Sequence, residues 1–167
     1  MEIMKAIEER RSIRKYRPDP VEPEKLARIA EAFRLAPSAM NDQGWKLLIV
    51  TDPAAKERIR EASPSKHSMI SEAPVVLVGI STSQRVMENG HRVDSVDVSI
   101  AMSFAMLEAQ AQGLGTCWMG YYTEPGLRAA LGLAEDITIA AIMPLGYAGE
   151  SPEARPRKAA SEVVEYI

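Results

Sequence analysis

Residues 93–112, VDSVDVSIAMSFAMLEAQAQ, constrain the fold more than any other stretch of the chain. They read as one long helix whose middle is apolar or small on nearly every side: Val98, Ile100, Ala101, Met102, Phe104, Ala105, Met106 and Leu107 leave no polar face. A helix of that kind must be covered all round. One sheet covers one face, so the remainder calls for a second helix layer or a second subunit. Gly113 and Gly115 end the helix. Asp94 and Asp97, three apart in its first turns, are explained by the positive end of the helix dipole.

The other segments fit around such a helix. Ile3, Met4 and Ile7 recur at helical spacing within residues 2–10, with charges opposite. Pro23 opens a second helix that aligns Leu26, Ile29, Ala30 and Phe33 and stops near Pro37. KLLIVT at 46–51 is a short strand, and Asp52-Pro53 starts a helix through DPAAKERIREA. PVVLVGIS at 74–81 is uninterrupted and rich in β-branched residues, the pattern of a buried central strand. TCWMG and ITIAAIMPLGY supply two more strands, with the helix TEPGLRAALGL between them. Helices and strands alternate in a single domain over 1–167, predicting an α/β or α+β fold with four or five strands.

Composition narrows the function. The net charge is -3, so a long basic face for nucleic acid is not expected. The longest uncharged apolar run, VSIAMSFAML, has ten residues against the roughly 20 needed to cross a bilayer. A single cysteine, Cys117, and two separated histidines, His67 and His91, argue against a disulfide and against metal chemistry. A soluble, reduced, cytoplasmic protein is expected. Cys117 reads as a small buried hydrophobe, and both histidines as surface residues.

Against this acidic background, RRSIRKYR puts five cations into eight positions, from Arg10 to Arg17. One reading is structural: Arg10 and Arg11 close a helix C-terminus and pair with Glu8 or Glu9. The other is chemical. In an extended strand Ser12, Arg14 and Tyr16 share one face, and guanidinium forks beside a hydroxyl suit a phosphate or a ring edge rich in acceptors. APSAMNDQGW, residues 36–45, adds Ser38, Asn41 and Gln43, which serve either as turn residues or as readers of a heterocycle. GLGTCWMG is not a dinucleotide fingerprint, because it follows a helix and opens a strand. Its Gly120 is a point where a ligand can approach the backbone.

Taken in order, RRSIRKY, APSAMNDQGWKLLIV, GLGTCWMG and MPLGY before a basic tail resemble the FMN-dependent nitroreductase family, over residues 3–164. The resemblance implies an α+β three-layer sandwich, a mixed sheet flanked by helices, in an intertwined homodimer with FMN at the interface. It implies that Arg10, Arg11, Ser12 and Arg14 bind FMN, with Arg11 near the phosphate. Pro37, Ser38 and Asn41 would reach the flavin of the other subunit. Met119 and Gly120 would face the ring, and Arg155 and Arg157 would bind phosphate. The final VVEYI would cross to the partner's sheet. The family's Gln-Pro-Trp is Gln43-Gly44-Trp45 here, and the segment between Ala62 and Arg92 is shorter than in most members.

The activity implied is an NADH- or NADPH-dependent, ping-pong reduction of nitroaromatics, quinones or similar electron-poor small molecules, centred on the flavin with no catalytic side chain. The alternatives are a protein that binds FMN without turnover and a dimerisation domain with a vacant site.

Overall fold

The computed structural model describes residues 2–167. In chain order the helices are α1 (Ile3–Glu9), α2 (Pro23–Arg34), α3 (Pro53–Ala62), α4 (Met69–Glu72), α5 (Val93–Ala111) and α6 (Glu124–Leu131). The strands are β1 (Trp45–Val50), β2 (Val75–Ser81), β3 (Gly115–Thr116) and β4 (Thr138–Gly146). They form one sheet in the order β1-β2-β4-β3.

Strand β2 is buried at every position and lies between β1 and β4, the central strand its composition predicted. Its side chains alternate between two cores. Val75 and Leu77 join Val98, Ala101, Met102 and Ala105 of α5 and Ile29 and Phe33 of α2. Val76, Val78 and Ile80 join Ile59 of α3, Ile70 of α4 and Leu127 of α6. The sheet is therefore the middle of three layers. No described helix is long and apolar enough to cross a membrane.

Two expectations about the sheet are corrected. Every pairing between its four strands is antiparallel rather than mixed, and the one parallel pairing described is an isolated bridge from Ser12 to Thr116. Of TCWMG only Thr116 lies in a strand, the two-residue β3, because the ladder meets Pro144 on β4. The Cys117 N–H donates to the Pro144 carbonyl at 3.3 Å, but proline has no N–H to return. Pairing resumes at a bridge between Met119 and Ile142. The short helix α4 has no counterpart in the sequence reading, whereas the tight turn at Ala39–Asn41 falls where Ser38 and Asn41 were expected to serve as turn residues.

Helix α5 is only partly covered within one chain. The sheet and α2 bury Val98, Ala101, Met102, Ala105 and Ala109, while Phe104 remains 42% exposed. On α1, Ile3, Met4 and Ile7 form the expected stripe but face outward, at 71%, 56% and 47% exposure. The apolar groove between α1, α2 and α5 measures about 300 Å³ and is lined by Ile3, Ala32, Phe104 and Leu107 among others.

The two acids at the start of α5 do more than complement a dipole. Asp94 is 1% exposed. It accepts hydrogen bonds from Arg92, from the Thr138 hydroxyl at 2.9 Å and from the Ser95 N–H at 2.6 Å, tying the helix to the start of β4. Burial works against its charge, but these donors outweigh burial and hold the carboxyl below its ordinary range. A folded-state value below the unfolded one means stability that is present above about pH 4 and lost as pH falls through the folded value. The gap between the urea midpoints of wild type and Asp94→Asn should thus be widest near neutrality and close under more acidic conditions. A gap that does not change with pH would contradict this role.

Candidate functional site

The chain from Arg10 to Arg17 leaves α1 and runs in extended form against the far edge of the sheet. Its hold on that edge alternates along the strand. The Ile13 N–H donates to Thr116 at 2.9 Å and the Arg17 N–H to Tyr147 at 2.9 Å, while the Lys15 carbonyl accepts from Gly149 at 2.8 Å. Ile13 is buried at 6% exposure and packs so closely on Gly115 that a Cβ there would lie 2.6 Å from Ile13 Cγ1. The Tyr16 hydroxyl lies 2.7 Å from the Ile13 carbonyl and 3.0 Å from that of Pro144, within reach of both. Burial, then the neighbouring Cys117 and Glu150, raises its pKa far above the ordinary phenol value, so Tyr16 is a neutral anchor. The Arg14 N–H donates to the Glu150 carboxylate at 2.6 Å. With Ile13 turned inward, Ser12 and Arg14 on the alternate face are left to the outside.

A cavity of about 730 Å³ opens beside this strand, lined by Arg10, Arg11, Ser12 and Arg14 and, from the C-terminal segment, by Arg155 and Arg157. Two carboxylates, Glu8 and Glu153, also line it. Among the described residues none of the five arginines has a carboxylate within ion-pair distance. Elsewhere Arg17, Arg28, Arg34, Arg60, Arg85, Arg92 and Arg128 each have one. Outside the cavity only Arg58, among the described residues, shares this lack, and it donates to the Ala130 carbonyl instead. The cavity thus gathers unpaired guanidinium groups, a donor set that suits an anion. Arg11 is partly committed: it donates to the carbonyls of Glu8 at 2.7 Å and Arg10 at 2.9 Å, capping α1 as the structural reading expected, but neither Arg10 nor Arg11 makes the expected pair with Glu8 or Glu9, and Glu9 pairs with Lys5 instead.

Of the remaining predicted residues, Met119 and Gly120 follow β3. The Met119 side chain is buried in the core beneath the sheet, and its N–H and carbonyl both bond Ile142, at 2.9 and 3.1 Å. It therefore presents no group outward; it holds Gly120 in place. A Cβ on Gly120 would meet nothing within 4 Å, so its backbone faces open space. Cys117 is buried as expected. Burial raises its thiol pKa, and the nearby Arg14 and Arg10 offset that only in part.

Pro37, Ser38 and Asn41 stand apart from the cavity, on a turn with an unusual backbone. Met40, Asn41 and Gln43 all have positive φ, at 54°, 59° and 52°, without a glycine among them. The Gln43 N–H donates to the Ser38 hydroxyl oxygen at 3.1 Å, which leaves the hydroxyl proton free to donate. The Ala39 N–H donates to Asp97 at 3.0 Å, in the second turn of α5. The basic strand meets the opposite end of that helix, through Ile13 and Gly115. From Asp97 to Ala111 the helix rises about 21 Å. Within one chain the turn and the arginines thus lie at opposite ends of α5.

Three contributors to this arrangement were not anticipated: Glu150 on the Arg14 backbone, Asp97 on Ala39, and Arg85, which pairs with Asp42 at 2.5 Å and donates to the Ala39 carbonyl at 3.2 Å. Each acts on a backbone group or an ion pair remote in sequence, and no local pattern signals such a partner.

Known proteins share the sequence and the fold of this chain. The profile described as the nitroreductase family matches residues 7–66 and 61–147. An NADH dehydrogenase of Thermus thermophilus is 34% identical over 173 residues, covering 84% of this chain and 84% of that protein. The FMN reductase [NAD(P)H] of Bacillus subtilis is 33% identical over 135 residues, covering 71% of this chain and 54% of that one. The crystal structure of a nitroreductase family protein from Clostridium difficile superposes with a TM-score of 0.89 at 25% identity, over 99% of this chain and 98% of that one. Together with the three-layer fold and the arginine-lined cavity, these matches show that the chain belongs to the nitroreductase family.

Proposed function

We propose that the protein is an NAD(P)H-dependent FMN oxidoreductase that reduces electron-poor small molecules such as nitroaromatics or quinones. The observation that carries this reading is the cavity with five arginines and no ion pair among them. FMN fits that donor set: its phosphate is a near-dianion, and five guanidinium groups against two glutamates leave a surplus of positive charge to meet it. A volume of about 730 Å³ is within the usual range for small-molecule sites. The open side of Gly120 gives a planar ring room to approach the backbone.

In this reading Arg10, Arg14, Arg155 and Arg157 hold the phosphate and the electron-rich ring edge. Arg11 contributes charge while capping α1, and Ser12 adds a hydroxyl. Pro37, Ser38 and Asn41 come from a second copy of the chain, since the same chain's turn is at the other end of α5. The outward-facing Ile3, Met4, Ile7 and Phe104 give that copy an apolar surface to cover, and the exposed Val163 and Val164 give the tail residues to lay on it. Strand β1 has a free edge for that tail.

When bound, FMN supplies two-electron transfer between a reduced nicotinamide and an acceptor that occupy one place in turn. The chain's own work is to bind and orient it: cations near the ring edge favour the reduced, anionic form. No side chain is assigned proton transfer, which solvent serves. Anaerobic addition of NADH or NADPH to the flavin-loaded protein should bleach the flavin absorbance, and a quinone should restore it. Retained flavin that neither nicotinamide bleaches would instead identify a protein that binds FMN without turnover.

A further inference from the structure

Three non-glycine residues with positive φ inside four positions are an unusual backbone, costly at Met40 and Gln43 above all, and one that persists where surrounding groups enforce it. The turn's internal bonds do not account for the whole of it. The Asn41 N–H bonds the Ser38 carbonyl at 3.0 Å and the Gln43 N–H bonds the Ser38 hydroxyl at 3.1 Å. Both close the turn on itself without fixing where it points. That is done from outside, at one peptide unit on either side of Ala39. Asp97, 6% exposed, takes the Ala39 N–H; Arg85 gives a guanidinium proton to the Ala39 carbonyl and pairs with Asp42 at the turn's far side. Arg85 is itself fixed: its carbonyl accepts the Val93 N–H at 3.0 Å, at the start of α5. Both grips therefore refer the turn to the same rigid helix.

We infer that Asp97 and Arg85 are positioning residues for cofactor binding: they clamp the Ala39 peptide so that Ser38 and Asn41 are presented to the flavin held by the partner copy. The inference rests on the proposed assignment of that turn to FMN. Neither residue touches the cofactor. They act through the turn, by removing the freedom that the link between α2 and β1, residues 35–44, otherwise has before binding. The clamp also matters here because Gly44 stands where the family's motif, as read from the sequence, has proline. The turn cannot borrow stiffness from a fixed φ at that position, and side-chain contacts supply it instead.

The test is a double-mutant cycle on the full-length protein, read as FMN dissociation constants and as exchange of the Ala39 amide. Asp97→Ala and Arg85→Ala should each weaken FMN binding about ten-fold, the loss typical of a charge-assisted hydrogen bond. Asn41→Ala alone should also weaken it. In the Asn41→Ala background, Asp97→Ala should cost clearly less than in the wild type, because one of the two contacts it acts through is already removed. Asp97→Asn, which keeps an acceptor oxygen, should recover most of the affinity and serves as the second variant if the alanine protein does not fold. The Ala39 amide should exchange faster in Asp97→Ala with or without FMN. A merely structural role would lower stability and leave the affinity of the folded protein unchanged, which overturns the inference; so would full additivity of the two changes. If Asn41→Ala itself has no effect on FMN, the failure lies in assigning the turn to the cofactor, and the inference falls with that assignment.

Discussion

An Arg14→Ala variant is expected to lose about ten- to a hundred-fold in FMN affinity with little change in stability. The size follows from the contact removed: a hydrogen bond to a charged partner contributes about 1.5–3 kcal/mol. The selectivity follows from what Arg14 does without a ligand. Its guanidinium is exposed, and its one bond within the chain is a long 3.4 Å approach to the Ser12 carbonyl. The Arg14 backbone, not its side chain, makes the structural contact with Glu150. Truncation therefore leaves the basic strand anchored while removing one cation from the cavity. Arg34→Ala is the matched control, because Arg34 is also exposed but is paired with Glu31 on α2. It should leave FMN binding unchanged. Fluorescence titration of FMN checks both, since free flavin is emissive and its signal reports binding. Equal affinity in the two variants would leave the Arg10–Arg17 cluster with only the structural role of closing α1.

Gly115→Ala reaches the same site through the core. A Cβ at that position would sit 2.6 Å from Cγ1 and 2.9 Å from Cβ of Ile13. The Ile13 Cβ is rooted to the backbone and cannot swing aside, so either the basic strand or β3 must shift. Overpacking of this kind typically costs about 1–3 kcal/mol. The functional consequence is specific, because Ile13 stands between Ser12 and Arg14 and its N–H is bonded to the Thr116 carbonyl beside Gly115. Displacing it moves the arginines relative to the cavity they line. The variant should therefore show a lowered urea midpoint together with weaker FMN binding in its folded fraction. An unchanged affinity alongside lowered stability would mean that the strand's position does not matter to the cofactor.

How much of this was legible in the sequence depends on the range over which each force acts. Strand β2 was readable because burial on both faces demands an unbroken β-branched run, and that demand is local. Helix α5 was readable for the same reason, as was its need for cover from more than the sheet; the exposed Phe104 now shows where that cover runs short within one chain. The cavity was legible in part, since Arg10 to Arg14 are consecutive and an extended strand sorts them by face. Arg155 and Arg157 were legible only through resemblance, as nothing local links residue 14 to residue 155. For Asp97 the helix dipole is all that local sequence offers an acid near a helix start; its acceptor role toward Ala39 depends on packing between residues 58 positions apart. The interruption of β3 required knowing that Cys117 lies opposite Pro144, a matter of register rather than composition.

The measurement closest to the central claim is the stoichiometry of FMN retained by the purified protein. The protein would be incubated with excess FMN, desalted, and examined together by visible absorbance and by light scattering for mass. An arginine cavity completed by a partner's turn predicts one FMN per chain, on a particle of twice the chain mass. A protein that retains no flavin, or retains it as a monomer, would contradict the account: the first removes the phosphate from the arginines, and the second removes the partner from the site.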